Sequence, residues 1–368
     1  MKLSAEHERL RERCEELAKG PLRALEAHGH TINRPLIEAL GEHGVLPAIC
    51  RDGGKPSAAL VLCLVREALA RHCTEAETAF ALQALGAYPI LLAGNDSTVQ
   101  RWIPGITAGT TVVGFALTEP EAGSDAAHLR LQAAGDGDDF VLTGEKTYIS
   151  NAPGADVYSV FARTGDTGAK GITAFAVPGD SPGLSGDPIE LIAPHAIGRL
   201  KFDGVRVSGS NVLGEVDGGW NVAMRTLDVL RPSVGAFAVG MAQAALDLAV
   251  EHTAKREAFG RTLSTFQGVS HQLADVATRV RAARLLVHDA AVAYDEAPGR
   301  TGHLSAMAKL FATETAQVAV DVAVQVHGAR ALELGHPLER LYREVRAPRI
   351  YEGASEIQRE IIARALFR

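Results

Sequence analysis

The sequence predicts an α+β protein with an N-terminal α-helical domain, a middle antiparallel β domain and a C-terminal four-helix bundle. Two changes in the spacing of apolar residues, at Thr111 and after Gly218, carry this prediction. Outside these two points the apolar residues recur at helical spacing, whereas between them they form short or alternating runs. We place the three domains at residues 1–110, 111–215 and 216–368.

The N-terminal domain carries an apolar face that repeats with the period of a helix. Leu60, Leu64 and Ala68 are four residues apart and therefore lie on one side of a helix. Glycine and proline residues in the range 51–56 interrupt the pattern. The sequence therefore predicts helices from about residue 3 to about residue 108, with a break in that range.

The middle domain consists of short apolar or alternating runs separated by glycine and aspartate turns. Runs of this length and spacing are typical of a small antiparallel barrel or sandwich. The predicted strands are residues 112–117, 140–143, 157–162, 172–177 and 200–207.

The C-terminal domain contains longer helical patterns. Pro232 suits the first turn of a helix that runs to about Lys255. Apolar residues at 269, 273, 276 and 280 step by four, three and four residues, which is the pattern of a bundle seam. A further helix is predicted over residues 304–327, with Gly328 as its stop signal.

Composition and charge exclude several classes of function. The chain has 368 residues, of which 46% are hydrophobic, so it can bury large cores. Its formal net charge is −7 and it has no block of lysine and arginine, which argues against nucleic acid as a partner. The charged N-terminus lacks the apolar core of a signal peptide, and no run of about 18 apolar residues occurs. We therefore expect a cytoplasmic protein without a membrane partner.

Cysteine and histidine residues predict no metal site. The 4 cysteines lie in the first fifth of the chain without a CxxC pair. His28 and His30 are close in sequence, and His271 and His303 stand alone, but none has a third ligand at a useful spacing. Free thiols and packed or solvated histidines are the expectation.

The segment 115–125, FALTEPEAGSD, combines a strand with a loop rich in small hydroxyls and backbone donors. Such a loop can bind a polar ring edge or a phosphate through main-chain N–H groups and the hydroxyls of Thr118 and Ser124. An ordinary turn is the alternative. No GxGxxG or GxxxxGK[ST] motif occurs, so a nucleotide cofactor would be held in another way.

This segment resembles the flavin-binding signature of the acyl-CoA dehydrogenase family. Three further segments match that family in the same order: GEKTYISN at 144–151, KREAFGR at 255–261, and a C-terminal part with QVHG at 325–328 and IYEGASEIQ at 350–358. The resemblance covers the chain from about Leu36 to its end. It implies FAD as the cofactor and a thioester as the substrate.

The resemblance also implies roles for individual residues toward FAD. Tyr148 would lean on the flavin ring and Ser150 would bond its N5 edge. Arg256 would meet the pyrophosphate of the neighbouring subunit's FAD, with Phe259 and Gln267 against the adenosine half, which implies a homodimer or homotetramer. The predicted FAD-binding residues are Phe115, Leu117, Thr118, Gly123, Ser124, Tyr148, Ser150, Arg256, Phe259, Gln267, Gln325 and Gly328.

In the family, the glutamate of the Tyr-Glu-Gly string is the base that removes the α-proton, which points to Glu352. Removing this weakly acidic proton needs a carboxylate in a dry pocket and a hydride acceptor at Cβ, which is flavin N5. Some branches place the base one residue before an arginine that corresponds to Arg231, but that position is Leu230 here. A helix-capping role for Glu352 is the structural alternative. The predicted substrate contacts are Ser124, Arg231, Tyr351 and Gly353.

Departures from the family pattern leave the substrate open. Tyr148 replaces a tryptophan, Ala329 a glycine and Ala354 a threonine, and the stretches 50–56 and 194–200 are shorter than usual. In the family these stretches border the entrance for the acyl carrier. The carrier of the thioester, CoA or an acyl carrier protein, therefore stays open. With an acyl carrier protein as the carrier, the chain resembles the branch of the family that serves polyketide extender-unit synthesis. That branch oxidises a short hydroxylated acyl group, such as a hydroxymalonyl precursor.

The reaction type has alternatives of its own. The expected electron acceptor is an electron-transfer flavoprotein or a similar protein, while an oxidase would use oxygen. A flavin monooxygenase has no α-proton to remove, so the glutamate at 352 argues against it. A helical scaffold without flavin is the non-catalytic alternative, and the retained Thr118, Ser124, Arg256 and Glu352 argue against that.

Overall fold

The fold follows the predicted order of helices, a sheet and helices again. The computed structural model describes residues 3–51, 54–165 and 168–367. The helices are α1 (Ala5–Lys19), α2 (Arg34–Glu42), α3 (Ala59–His72), α4 (Thr74–Ala93), α5 (Asp96–Ala108), α6 (Gly219–Lys255), α7 (Gln267–Glu296), α8 (Gly302–His327), α9 (Pro337–Glu344) and α10 (Ser355–Leu366). The strands are β1 (Cys50–Arg51), β2 (Lys55–Pro56), β3 (Val113–Ala116), β4 (Gln132–Asp136), β5 (Asp139–Ser150), β6 (Val157–Arg163), β7 (Ile172–Pro178), β8 (Leu184–Pro188), β9 (Ile197–Ser208), β10 (Val212–Leu213), β11 (Glu257–Ala258) and β12 (Arg261–Thr262).

Internal contacts group the chain into two compact units. The first, which we call the helical unit, comprises Met1–Gly20, Ala58–Glu77 and Asp228–Arg368. The second, the sheet unit, comprises Pro21–Ser57 and Thr78–Leu227. The predicted N-terminal domain is therefore divided between the two packing units, because α1 and α3 pack on each other in one unit and α2 and α5 pack on each other in the other.

The sheet unit contains one large sheet, with strand order β10-β7-β6-β4-β5-β9-β8 and with β3 added on β6. Most neighbours are antiparallel, but β3 and β4 both pair with β6 in parallel. The predicted antiparallel β domain is confirmed, and these two parallel pairings are an addition to it. Parallel pairing of β3 and β6 is possible because a long connection separates them, whereas a hairpin turn enforces the antiparallel arrangement.

Each of the five predicted strands is present, but the structure adds strands that the apolar pattern does not show. Strands β4 and β8 were missed because most of their residues face outward, so neither presents an apolar run. The predicted break at 51–56 contains the short β1–β2 pair, and its residues 52 and 53 lie outside the described part of the chain.

Helix α6 begins earlier than predicted. It starts at Gly219, so that Pro232 lies inside the helix and not in its first turn. A proline has no N–H to bond the carbonyl four residues back, which here belongs to Asp228. The hydroxyl of Ser305 donates to that carbonyl at 3.2 Å. The lost helix bond is thereby replaced by a bond from α8, and the helix continues.

The bundle of the helical unit is built from α6, α7, α8 and α10. The approach of α6 to its neighbours is close at Gly235, where a Cβ would lie 2.8 Å from a methyl of Val287 on α7. The predicted seam of α7 is buried at Leu273, Val276 and Val280. The predicted stop of α8 is confirmed, since Gly328 follows the helix with a φ of 68°.

Two helices, α4 and α6, are long and apolar enough to span a membrane by length and hydropathy alone. In their apolar windows 67% and 72% of the residues, respectively, are buried inside the structure. Buried core helices have the same two properties, so these helices are weak evidence for a membrane span.

Candidate active site and cofactor site

Glu352 lies in a tight turn between a short 3₁₀ turn at Ala347–Arg349 and helix α10. Its φ is 52° and that of Gly353 is 94°. A non-glycine residue at positive φ is strained and is held there by its surroundings. The carbonyl of Gly353 accepts hydrogen bonds from Lys309 Nζ at 2.7 Å and from Gln358 Nε2 at 2.8 Å. The turn that carries Glu352 is thus fixed by side chains of α8 and α10.

One oxygen of the Glu352 carboxyl group is buried without a hydrogen-bond partner among the described residues. This oxygen, Oε2, is inaccessible and accepts no hydrogen bond within residues 3–51, 54–165 and 168–367. Burial raises the pKa of this carboxyl, and the positive charges of Arg66, Lys309 and Arg231 oppose that rise. An unpartnered buried carboxylate among three cations is poised to accept a proton from a bound molecule.

Two of the three cations near Glu352, Arg66 and Arg231, are themselves buried and paired with carboxylates. Arg66 on α3 forms a short ion pair with Glu77, and its Nη1 donates to Ser233 Oγ at 2.8 Å. Arg231 Nη1 pairs with Asp228 at 2.7 Å, and its Nε lies 3.4 Å from the carbonyl oxygen of Glu352. The three cations Arg66, Arg231 and Lys309 are thus matched by the three carboxyl groups of Glu77, Asp228 and Glu352.

The structure brings four predicted residues together in the helical unit. Arg231 contacts the backbone of Glu352, and Tyr351 and Gly353 flank it in the same turn. Burial raises the pKa of Tyr351 well above its usual range, with the charge of Arg66 acting against the rise. Leu230, the alternative position for a base, is 1% exposed on α6.

The predicted flavin loop after β3 is anchored in the sheet unit by a buried ion pair. Lys146 Nζ donates to Glu119 Oε1 at 2.8 Å and to the carbonyl of Leu117 at 2.9 Å. The same carboxylate accepts from the backbone N–H groups of Arg130 and Leu131. Burial lowers the pKa of Lys146 to about 8, against the attraction of Glu119. The first and second flavin motifs are therefore tied together through Lys146.

Strand β5 presents its predicted flavin residues at a register irregularity. Its pairing with β9 is interrupted between Lys146 and Ile149, and Tyr148 there adopts a φ of 56° with 61% of its surface exposed. A β-bulge, which is an irregularity of this kind, changes the direction in which a side chain leaves the strand. Ser150 is buried close behind, and the N–H of Thr147 donates to the carbonyl of Thr118.

The hydroxyl and aromatic side chains of the two flavin motifs in the sheet unit suit a flavin ring. The hydroxyls of Thr118, Ser124 and Ser150 form no hydrogen bond within the described ranges, and Tyr148 offers a free aromatic face. Gly123 and Ser124 are exposed, whereas Phe115 and Leu117 are buried at the base of the loop. Free hydroxyls and an open aromatic ring suit a flat heteroaromatic group with acceptor atoms on its edge.

The predicted FAD-gripping segment is a hairpin that leaves the end of α6. Strands β11 and β12 pair around Phe259 and Gly260, both at positive φ, as in a type I′ turn. Phe259 is 96% exposed, and Arg256 and Gln267 are also exposed. A large apolar side chain held in strain and open to solvent marks a surface that another molecule covers.

The ends of α6 and α8 meet at a stack of histidines. The rings of His252 and His327 are 4.1 Å apart, and His336 lies 5.5 Å from His327. Gln325 and Gly328 lie at the C-terminal end of α8 and are exposed. The structure thus places Gln325 and Gly328 in the same part of the helical unit as the hairpin with Arg256.

Several site residues were not predicted from the sequence. Lys309 stands alone as a charge within an apolar helical run, and Arg66 is a lone cation in such a run beside Glu67, which is a signal that was available. Lys146 bonds to Glu119, 27 residues away in sequence, which no local pattern shows. Gln358 bonds back to the carbonyl of Gly353 in the turn before its own helix. Among the described residues no group of three or more His, Cys, Asp or Glu residues could hold a metal ion.

Comparison with known proteins covers nearly the whole chain. Family models for the N-terminal, middle and C-terminal domains of acyl-CoA dehydrogenase match residues 4–110, 114–205 and 217–367. The short-chain specific acyl-CoA dehydrogenase of Rattus norvegicus mitochondria is 36% identical, over 100% of this chain and 92% of the relative.

Solved structures give the same result. Butyryl-CoA dehydrogenase from Megasphaera elsdenii superposes with a TM-score of 0.93 at 31% identity, with 100% of both chains covered. A prolyl acyl carrier protein oxidase superposes with a TM-score of 0.92 at 26% identity, over 99% of this chain and 100% of that one. The chain belongs to the acyl-CoA dehydrogenase family, whose members are FAD-dependent oxidoreductases that act on CH–CH bonds.

Proposed function

We propose that this chain dehydrogenates an acyl thioester between Cα and Cβ, with Glu352 as the base that removes the α-proton. The buried, unpartnered Oε2 of Glu352 is the observation that carries this proposal. A structural carboxylate at this depth would be hydrogen-bonded, because an unsatisfied buried acceptor destabilises a fold. A carboxylate reserved for a substrate proton needs its oxygen free.

FAD, when bound, supplies the acceptor for the hydride that leaves Cβ. The residues of this chain supply the base and the hydrogen-bond donors. Glu352 accepts the α-proton at a carboxylate oxygen, and its backbone N–H is the proposed donor to the thioester oxygen, where enolate charge develops. Arg231 and Gln358 donate to the carbonyl oxygen of Glu352, in the next peptide along the chain, and so hold the turn that orients this N–H. Thr118, Ser124, Tyr148 and Ser150 are the proposed contacts to the flavin.

We also propose that the hairpin with Arg256 and Phe259 binds the FAD of a second copy of this chain. The exposure of Phe259, its positive φ and the exposure of Arg256 support this assembly. A homodimer is the smallest form in which each hairpin reaches a partner, and a dimer of dimers would satisfy it as well.

Replacing Arg256 by alanine should weaken FAD retention about tenfold or more. A charge-assisted contact to a pyrophosphate contributes roughly 1.5–3 kcal/mol, and about 1.4 kcal/mol corresponds to a factor of ten. The measurement is the dissociation constant of FAD from reconstituted apoprotein, with Arg9→Ala on the exposed face of α1 as the matched control. A monomeric Arg256→Ala protein that retains FAD as tightly as the control would contradict this assignment.

A second candidate substrate is a short hydroxylated acyl group on an acyl carrier protein. The polar cluster of Arg66, Glu77 and Ser233 beside Glu352 supports it, because a long aliphatic chain gains little against a buried ion pair. The likeness to a prolyl acyl carrier protein oxidase supports the carrier. The likeness to acyl-CoA dehydrogenases supports CoA. We propose a protein acceptor of the electron-transfer flavoprotein kind and a cytoplasmic location in either case.

The two carriers predict different salt dependence. If an acidic carrier protein is the substrate, its rate of anaerobic flavin reduction should fall as ionic strength rises, because salt screens the charges that steer two proteins together. The CoA ester of the same acyl group should then react poorly. Equal rates for a matched CoA ester and carrier-bound ester, both insensitive to salt, would eliminate the carrier candidate.

A further inference from the structure

Lys309 is an ammonium group buried inside the bundle. It lies on α8 between the buried residues Ala306, Ala308 and Ala312, and its side chain is fully enclosed. Its Nζ donates to the carbonyl of Gly353 at 2.7 Å. An ammonium in an apolar setting is costly, so its position requires a compensating interaction.

The charged groups that act on Lys309 lie on α6, α8, α10 and the turn with Glu352. Glu352 in the turn, Glu314 on α8 and Glu356 on α10 favour its charged form, and Arg231 on α6 opposes it. Burial lowers the pKa of Lys309 to about 8 despite these carboxylates. Glu314 binds Ser355 and Arg349, and Glu356 lies 3.6 Å from Arg359, whereas Oε2 of Glu352 has no hydrogen-bond partner among the described residues.

Resting on the proposed role of Glu352 as the base, we propose that Lys309 is a positioning residue for the proton transfer. Its hydrogen bond to Gly353 holds the strained turn, and its charge keeps the Glu352 carboxylate ionised before the substrate enters. Arg66 and Arg231 act on Glu352 too, but each is already paired with a carboxylate, Glu77 and Asp228. Unlike these two arginines, Lys309 has no ion-pair partner within the described residues, and its charge acts on Glu352.

This role gives the acid side of the pH dependence of flavin reduction an assignable cause. The rate rises as Glu352 loses its proton, which forms the acid limb, and a nearby cation moves that limb to lower pH. Removing the charge of Lys309 should therefore shift the acid limb upward, whereas a substitution that keeps the charge should leave that limb in place.

The test is anaerobic single-turnover reduction of the bound FAD by butyryl-CoA between about pH 6 and about pH 10, in Lys309→Gln and Lys309→Arg. Lys309→Gln keeps a donor for Gly353 but loses the charge, so we expect its acid limb to move up by on the order of one pH unit. Below that limb its rate should be about tenfold lower, with the affinity for butyryl-CoA retained. Lys309→Arg keeps the positive charge, so its acid limb should stay at the wild-type position.

A control variant and a second readout separate this role from a merely structural one. Lys170→Gln, at an exposed position of the sheet unit, should have the wild-type profile. Infrared titration of the Glu352 carboxyl, assigned by its loss in Glu352→Gln, should show the same upward shift in Lys309→Gln without substrate. If Lys309→Gln does not fold, Lys309→Met, which is uncharged and of similar length, is the second variant, and its acid limb should move in the same direction.

Two outcomes distinguish failure of this inference from failure of the proposed function. If Glu352→Gln is inactive while Lys309→Gln and Lys309→Arg both keep the wild-type acid limb, Lys309 has no role in positioning. If Glu352→Gln reduces its flavin at the wild-type rate, the base has been misassigned and the inference falls with it.

Discussion

Replacing Glu352 by glutamine should slow reduction of the bound flavin by a thioester at least about a hundredfold. Glutamine keeps the shape of the side chain but cannot take a proton, and a positioned general base contributes about 10²–10⁴ in rate. Because Oε2 has no hydrogen-bond partner in the described part of the chain, this exchange should leave stability and the yellow colour unchanged. The measurement is the rate of flavin bleaching in an anaerobic single turnover.

A matched pair of controls makes this result specific. Glu360→Gln, on the exposed side of α10, should react at the wild-type rate. Leu230→Glu in the Glu352→Gln background should restore part of the activity, since α6 carries this position immediately before Arg231 and some family branches place their base there. Near wild-type bleaching by Glu352→Gln would mean that another group is the base.

Replacing Lys146 by methionine should destabilise the protein by about 3–5 kcal/mol, because removing one member of a buried ion pair leaves the other charge uncompensated. Glu119 would keep its backbone donors but lose the ammonium that joins it to Leu117. The loop with Thr118 and Ser124 should then loosen, and FAD should be lost at concentrations at which the wild type retains it. Urea unfolding and FAD content of the purified protein are the measurements.

The control for this substitution is Lys201→Met, an exposed lysine on β9 of the same sheet. It should change stability by less than about 0.5 kcal/mol, as surface substitutions generally do. The double variant Lys146→Met with Glu119→Gln should recover part of the loss, since it removes the stranded carboxylate. Equal stability of Lys146→Met and Lys201→Met would show that the buried pair does not hold the loop.

The order of helices and strands could be predicted because hydrophobic period is a local property. The seam of α7 and the end of α8 at Gly328 follow directly from residue spacing. Parallel pairing of β3 with β6 could not, because strand partners are chosen by contacts distant in sequence. The start of α6 was missed for a similar reason, since the serine that replaces the bond lost at Pro232 lies on α8.

The candidate site was predictable as motifs but not as geometry. The Tyr-Glu-Gly string pointed to Glu352, and the structure shows its turn at positive φ, held by Lys309 and Gln358. A non-glycine residue in that conformation is invisible in the sequence, because the cause lies in the groups that hold it. The signal that was overlooked is the single lysine or arginine in an apolar helical run, as at Arg66 and Lys309.

Exchange of the substrate α-proton with solvent deuterium tests most directly whether Glu352 is the base. A thioester with sulfur in place of its β-carbon has no hydride to give, so NMR would follow removal of the α-proton alone. We predict exchange catalysed by the wild-type protein and exchange at least about a hundredfold slower with Glu352→Gln, although both bind the analogue. Equal exchange rates in the two proteins would contradict the assignment of Glu352 as the base.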